Sequence, residues 1–568
     1  MSTALLWIFA VGCNPKGNDT LSRFDREYTE IRVRLGAAER DVARNVRNKE
    51  ARSRLVSAEQ ARVAFFRDTG FQAALTEARG LPRDTPARIK ADAYQLESLR
   101  YSSWTEEEKA EESRLLGMLE EAASESATWS TPDGTVVVDL NQGWDDVSGA
   151  VDDLDNALRA ELFDEYATLQ MQPVGGDLQA LVHQRNAVAA RAGFKNYWEL
   201  SIASYGLTPT EVDQIITELQ PIVAPASQAT QAALNEAAST AGLPLTQANL
   251  PLLKRRSGLS YASQEADDYF DTDLAEERIT TAFQAMGLPA SGWQVYTEPR
   301  RHARPGVYGF PIRPPSNVAI VISQDRRWST WQYEALAHEG GHAIWWQSLT
   351  EDAVKSPPLW SPPEPWFEGF AHLFERIVYD PAFTARYIPD LPAERREALS
   401  EDRSRRVANW ILDGIVDTQV ERKLYEDPSD LPAIMKYAAE LRADLTGIPA
   451  THPDDGMYYD TALLSGLAWN YPGYAPNFLY AYSTESWLFE ALSQRAGGLV
   501  DNPQVGQLIT EYLIQADPQL SFPERVAALQ SGVSRADALK TYLEPATRPP
   551  VPQLSAANEV VEEEDSPE

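Results

Sequence analysis

His338-Glu339-Gly340-Gly341-His342 is the stretch from which the rest of the chain is read. Two imidazoles four positions apart on a helix point to one side, so both can bind one Zn²⁺. Glu339 lies between them, placed to polarise a water on the metal's open position. The chain has only six histidines in 568 residues, which makes a pair at this spacing an informative signal. A third ligand is expected downstream. Ser361-Pro-Pro-Glu-Pro-Trp-Phe-Glu-Gly-Phe-Ala-His-Leu-Phe-Glu-Arg-Ile-Val-Tyr-Asp380 opens with prolines suited to a helix start, and an apolar stripe follows. It predicts a helix from about Glu364 to Tyr379. Glu368, His372 and Glu375 fall on one face of that helix, at i, i+4 and i+7. Glu368 follows His342 by 26 residues, room for a loop and an antiparallel return. Two histidines, one glutamate and a water make a catalytic zinc set, because structural zinc sites fill all four positions with protein. The expected ligands of one Zn²⁺ per chain are therefore His338, His342 and Glu368. His372 or Glu375 is placed to hydrogen-bond a ligand histidine and fix its tautomer; the alternative is an ordinary half-exposed helix face.

Working outward, Asn317-Val-Ala-Ile-Val-Ile-Ser323 is a β-branched apolar run and reads as a strand, with Arg304-Pro-Gly-Val-Tyr-Gly-Phe310 beside it. A strand edge next to zinc can hold an extended peptide by backbone hydrogen bonds, or the sheet is structural only. Trp331, Trp345, Trp346, Trp360 and Trp366 gather around the motif, as core or as cleft lining. Alanine-rich amphipathic stretches dominate elsewhere. Arg32–Phe66 is one, with Arg and Glu interleaved as on a solvated helix face. Thr208-Pro-Thr-Glu211 starts another with a capping box and Pro at the first helical position. Strand signals are few and short. The expected fold is mainly α: a two-lobed helical catalytic unit with a deep central cleft and a small β-sheet beside the zinc site. No internal linker or repeat interrupts 23–545, which reads as a single domain.

Hydrophobic residues at 43% and aromatics at 10% suffice for a deep core. A formal net charge of −33 repels nucleic acid and gives no phosphate-binding stripe, so no nucleic-acid partner is expected. Residues 546–568, ending in Glu-Glu-Glu-Asp-Ser-Pro-Glu568, are proline- and acid-rich and read as a disordered tail. Ala4-Leu-Leu-Trp-Ile-Phe-Ala-Val-Gly-Cys13 is too short to span a bilayer. It resembles a bacterial lipoprotein signal over 1–13, although no Lys or Arg precedes the apolar run. Lipidation at Cys13 would leave 14–22 as a tether and place the protein in the bacterial envelope, lipid-anchored at the outer membrane or facing the periplasm. Cys13 is the single cysteine, so no intrachain disulfide can form.

Several stretches in the same order carry a wider likeness. Ala127-Thr-Trp-Ser-Thr-Pro-Asp-Gly-Thr-Val-Val-Val-Asp-Leu140, Arg185-Asn-Ala-Val-Ala-Ala-Arg-Ala-Gly-Phe-Lys-Asn-Tyr-Trp198, Glu218-Leu-Gln-Pro221 and the span from Ala343 to Gly369 resemble the angiotensin-converting-enzyme family of zinc peptidyl-dipeptidases. That family belongs to a larger group that includes thimet oligopeptidase. The likeness covers roughly 115–495, in patches. Leu467-Ala-Trp-Asn-Tyr-Pro-Gly-Tyr-Ala-Pro-Asn-Phe-Leu-Tyr480 is similar to the family stretch that carries an oxyanion-binding histidine and tyrosine. The resemblance makes Tyr480 the oxyanion donor and puts Asn470 where the family has histidine. The family's carboxylate-gripping lysine and tyrosine fall on Ala468 and Asn477, and its chloride-site arginine falls on Leu479. His372 stands where the family has an aspartate, and Glu375 matches a glutamate of the thimet-like relatives. His452, in a turn, reads as a surface histidine, with a swing into the place of the missing histidine as the alternative.

The implied function is a zinc metallopeptidase hydrolysing short peptides, as a peptidyl-dipeptidase or oligopeptidase. Glu339 activates the zinc-bound water and Tyr480, with Asn470, stabilises the oxyanion. Two alternatives stand beside it: a catalytically silent, zinc-containing peptide-binding lipoprotein, and a helical scaffold whose metal is structural or absent. Natural substrate, cleavage position and oligomeric state stay open.

Overall fold

The sequence's punctuation sets where its helices begin and end. A computed structural model describes residues 20–123, 126–131, 134–139, 155–259, 265–299, 302–304, 306–324, 329–449, 471–529 and 532–548. The signal-like 1–13 with Cys13, the tether up to 19, His452, Asn470 and the tail from 549 lie outside these residues. Thr208 caps the helix Pro209–Ala241 in the expected box with Glu211, and Gly242 ends it at a left-handed φ of 65°. The expected continuous stretch Arg32–Phe66 is instead two helices, Ser22–Arg44 and Lys49–Arg67. Asn45 turns extended, and the Asn48 side chain accepts from the Ala51 N–H to start the second. Those helices are also not a solvated face throughout. Tyr28, Ile31, Phe65 and Phe66 are core residues.

The fold is mainly helical. Strand β1 (Ser126–Thr131) pairs antiparallel with β2 (Gly134–Asp139). Strands β3 (Trp293–Pro299), β4 (Val307–Arg313) and β5 (Asn317–Gln324) form a sheet in the order β3-β5-β4, with β3 parallel and β4 antiparallel to β5. β5 reads as a continuous apolar run because both its faces are covered. Val318, Ile320 and Ile322 pack toward the helix Ser329–Gln347, while Ala319 and Val321 join Phe310, Ile312 and Ala43 under the helix Ser22–Arg44.

Two large hydrophobic cores form. One gathers helices from the first 226 residues with Val407–Ala438, and the other gathers 266–399 with 488–529. The helix Ala475–Ala496 serves both, giving Leu479 and Tyr482 to the first and Leu488 and Leu492 to the second. Its neighbour, the helix Glu364–Val378, ends within a residue of the expected boundary. The two glycines between the motif histidines are packing residues. A Cβ on Gly341 would stand 2.6 Å from the Phe374 ring and 3.0 Å from the Ala371 Cα; one on Gly340 would stand 2.8 Å from Phe283. Gly369 likewise lets Glu364–Val378 close on Thr484, 2.5 Å from where its Cβ would be. No helix among the described residues is long and apolar enough to cross a membrane.

Candidate metal centre

These close approaches bring the motif helix, Ser329–Gln347, and the helix Glu364–Val378 side by side, so that their polar residues converge on the Glu368 carboxylate. His338 Nε2 lies 3.4 Å from Glu368 Oε2, and His342 Nε2 lies 3.7 Å from Glu368 Oε1. The ligand atoms of His338, Glu368 and His372 all lie within 4.8 Å of one another, so this cluster can hold a metal ion. His372, expected to serve only as a support, is therefore itself within reach as a ligand. Glu368, His342 and His372 are buried, with Glu368 at 7% and His372 at 4% exposure, and His338 is half-buried.

The donor chemistry fits a cation. His338 Nδ1 donates to Glu375 Oε1 at 2.7 Å, which turns its Nε2 toward Glu368. His372 Nδ1 reaches Glu375 Oε2 at 2.8 Å, and its Nε2 is buried without a partner, as is His342 Nδ1. Burial alone would raise the Glu368 carboxyl, but the His338 bond and the neighbouring imidazoles hold it at about 2. Burial lowers His342 to about 3, so it stays neutral. His342 is thus a neutral imidazole beside an ionised carboxylate, as metal ligation requires, whereas Glu368 and Glu375, against the effect of burial, hold His338 well above the usual histidine range, and a metal ion would displace that proton.

Glu339 lies on the sheet side of the motif helix, where its carboxylate accepts from the Gly309 N–H of edge strand β4. The fit leaves no room for a side chain at 309, since a Cβ there would stand 2.6 Å from Glu339 Oε2. Burial pushes the Glu339 carboxyl up to about 8, with the Glu368 charge adding to the rise. A carboxyl poised there can both take up and return a proton near neutral pH.

Further supports were not read from the sequence. Arg403, almost fully buried, donates to Glu375 Oε2 at 2.9 Å and to Glu485 Oε2 at 3.3 Å. Its Nε lies 3.3 Å from Glu334, which also accepts from Tyr379 at 2.7 Å. Tyr474 places its hydroxyl 2.5 Å from Glu368 Oε1 and 3.0 Å from Glu364 Oε1. No spacing rule links Arg403 or Tyr474 to the motif, because each arrives from another helix or its flank.

Tyr480 is not brought to the cluster. On the helix Ala475–Ala496, Phe478 and Tyr482 face His372, with ring centroids at 6.2 and 4.8 Å. Tyr480 is two positions on from Phe478, about 200° round the helix. Its hydroxyl instead donates to the Glu211 carbonyl at 3.2 Å, and its ring packs on Trp366 and beneath Arg535. The tryptophans act mainly in packing: Trp345 and Trp360 are buried, and Trp346 stacks on His342 while donating to Ser361. Neither the models of known protein families nor the curated protein sequences give a match to this chain.

Proposed function

We propose that this protein is a zinc metallopeptidase of short peptides, akin to the angiotensin-converting-enzyme family and its thimet-like relatives. One observation carries the reading: a buried carboxyl, Glu339, is held by a strand N–H directly beside a His/Glu cluster on the adjoining helix faces. A structural metal site has no use for that acid. His338, His342 and Glu368 would hold the ion. A bound Zn²⁺ supplies Lewis-acid polarisation of a carbonyl and of a water. Glu339 takes the proton from the attacking water and returns it to the leaving amine. Glu375 and Arg403 keep His338 in one tautomer and orientation. Tyr474 fixes the Glu368 carboxylate. Strand β4 runs past Glu339 and is placed to carry an extended peptide backbone. In this reading the two cores are two lobes, and the centre lies in a cleft where they meet. The lipoprotein-like stretch ending at Cys13 supports an envelope location.

A second ligand set, with His372 replacing His342, is favoured by the 4.8 Å grouping. Zinc stoichiometry of His342→Ala and His372→Ala separates the two. Under the first set His342→Ala loses zinc and peptide cleavage, while His372→Ala retains at least part of both. Cleavage abolished by a chelator and restored by zinc supports the peptidase. Stoichiometric zinc without cleavage supports the silent peptide-binding protein instead.

A further inference from the structure

A cavity of about 730 Å³ lies between the helix Pro86–Tyr101, the turn Pro357–Leu359 and the segment around Phe522. Glu364 lies in its wall, one helical turn before Glu368 and sharing Tyr474 with it. Five arginines and three carboxylates line this cavity, a cationic excess in a chain whose net charge is −33. Three of the arginines are committed: Arg32 to Glu97, Arg62 to Glu59 and Arg79 to Asp92. Arg525 is turned to main-chain carbonyls of Leu513 and Leu520.

Arg100 differs. Its Nε and Nη2 both donate to one neutral acceptor, Ser204 Oγ, at 3.2 and 3.1 Å. Among the described residues no carboxylate forms a close ion pair with it; Glu364, in the same wall, attracts it only at longer range. Its guanidinium lies over the Tyr205 ring at 4.4 Å, and that ring meets Tyr474 edge-on at 5.4 Å. The guanidinium is thus within about 10 Å of the Tyr474 ring, about three residues of extended chain. A stacked, hydroxyl-anchored arginine in a concave wall is preorganised for a planar anion.

We propose that this cavity receives a carboxylate-bearing part of the substrate and that Arg100 binds that carboxylate. The placement rests on the peptidase reading above; the binding itself does not need turnover. The carboxylate has two sources, a peptide C-terminus or an acidic side chain, and three probes separate them. These are fluorescein-labelled Ala-Ala-Phe-Ala-Ala as free acid, the same peptide as C-terminal amide, and the amide with its last residue changed to Glu. Binding is read by anisotropy on the zinc-loaded full chain carrying Glu339→Gln, with and without Arg100→Met or Arg100→Lys.

The free acid is expected to bind about 10- to 100-fold more tightly than the amide, with the preference lost in Arg100→Met and reduced in Arg100→Lys. A Glu-amide that binds as well as the free acid would make the side chain an equal source. Equal binding of all three probes, no binding of any, or a preference unchanged in Arg100→Met overturns the proposal. If Arg100→Met does not fold, Arg100→Lys decides: an unchanged preference there overturns it. Should the parent enzyme cleave none of these peptides while the Arg100-dependent preference stands, the peptidase reading fails and the binding site remains.

Discussion

Gly309→Ala adds one methyl group where β4 passes Glu339, and its effect follows from the space available. The new Cβ would stand 2.6 Å from Glu339 Oε2 and 3.2 Å from the Trp346 ring. Trp346 is pinned by its bond to Ser361 and its stack on His342, so the carboxylate is the group that yields. Reaching ordinary contact at about 3.4 Å means a retreat of about 0.8 Å. A displacement near 1 Å of a reacting group costs on the order of 100-fold in rate. Overpacking costs only about 1–3 kcal/mol of stability. The variant is therefore expected to melt a few degrees lower, keep its zinc, and lose about 30- to 100-fold in kcat. The assay is kcat on a cleaved peptide, beside zinc content and a thermal melt. A folded, zinc-loaded Gly309→Ala enzyme within threefold of the parent's kcat would refute the assignment of Glu339 as the working base.

Tyr474→Phe removes the hydroxyl on Glu368 and should lower zinc affinity or activity about 10- to 100-fold. Tyr480→Phe should leave both within a few-fold and cost about 1 kcal/mol of stability, read by denaturant melts, because its hydroxyl donates to the Glu211 carbonyl and not to the cluster; the reverse ranking would restore Tyr480 to the reaction. Gly369→Ala should destabilise by about 1–3 kcal/mol or more, since its Cβ would meet Thr484 at 2.5 Å, and an unchanged melt would deny the close helix contact. Glu421, which accepts from the Gly473 N–H, is pushed up to about 8 by burial. The folded state then holds a proton that the unfolded chain releases above about 4.5, so this group makes stability fall as pH rises from about 4.5 to 8 and level off beyond. Glu421→Gln should flatten that slope in pH-dependent unfolding curves; an identical slope would mean the carboxyl is ionised in the fold.

The parts of the fold and site visible in the sequence are those written as local periodicity. The spacing of His338 and His342 and the face shared by Glu368, His372 and Glu375 each follow from one helix, and the structure sets those two helices side by side. The β5 run and the Thr208 capping box are likewise local signals. Groups supplied by tertiary contact were not legible. Arg403 reaches Glu375 from a separate 34-residue helix, and Gly309 matters only because a strand edge abuts Glu339. Tyr480 illustrates the limit in the other direction. A linear likeness put it at the centre, but helical rotation turns it away, and Tyr474, just before the same helix, takes the place beside Glu368. The break at Asn45–Asn48 was hidden because composition on both sides is helical and only the cap geometry marks it.

The proposed hydrolysis of peptides by Glu339 beside a His/Glu-held zinc is tested by cleavage of a mixed short-peptide library by the zinc-loaded chain and by Glu339→Gln, read by mass spectrometry with zinc content measured in both. Cleavage by the parent, loss of it in the variant and stoichiometric zinc in each are expected. Equal cleavage by both, or none by a fully zinc-loaded parent, would overturn the role of Glu339.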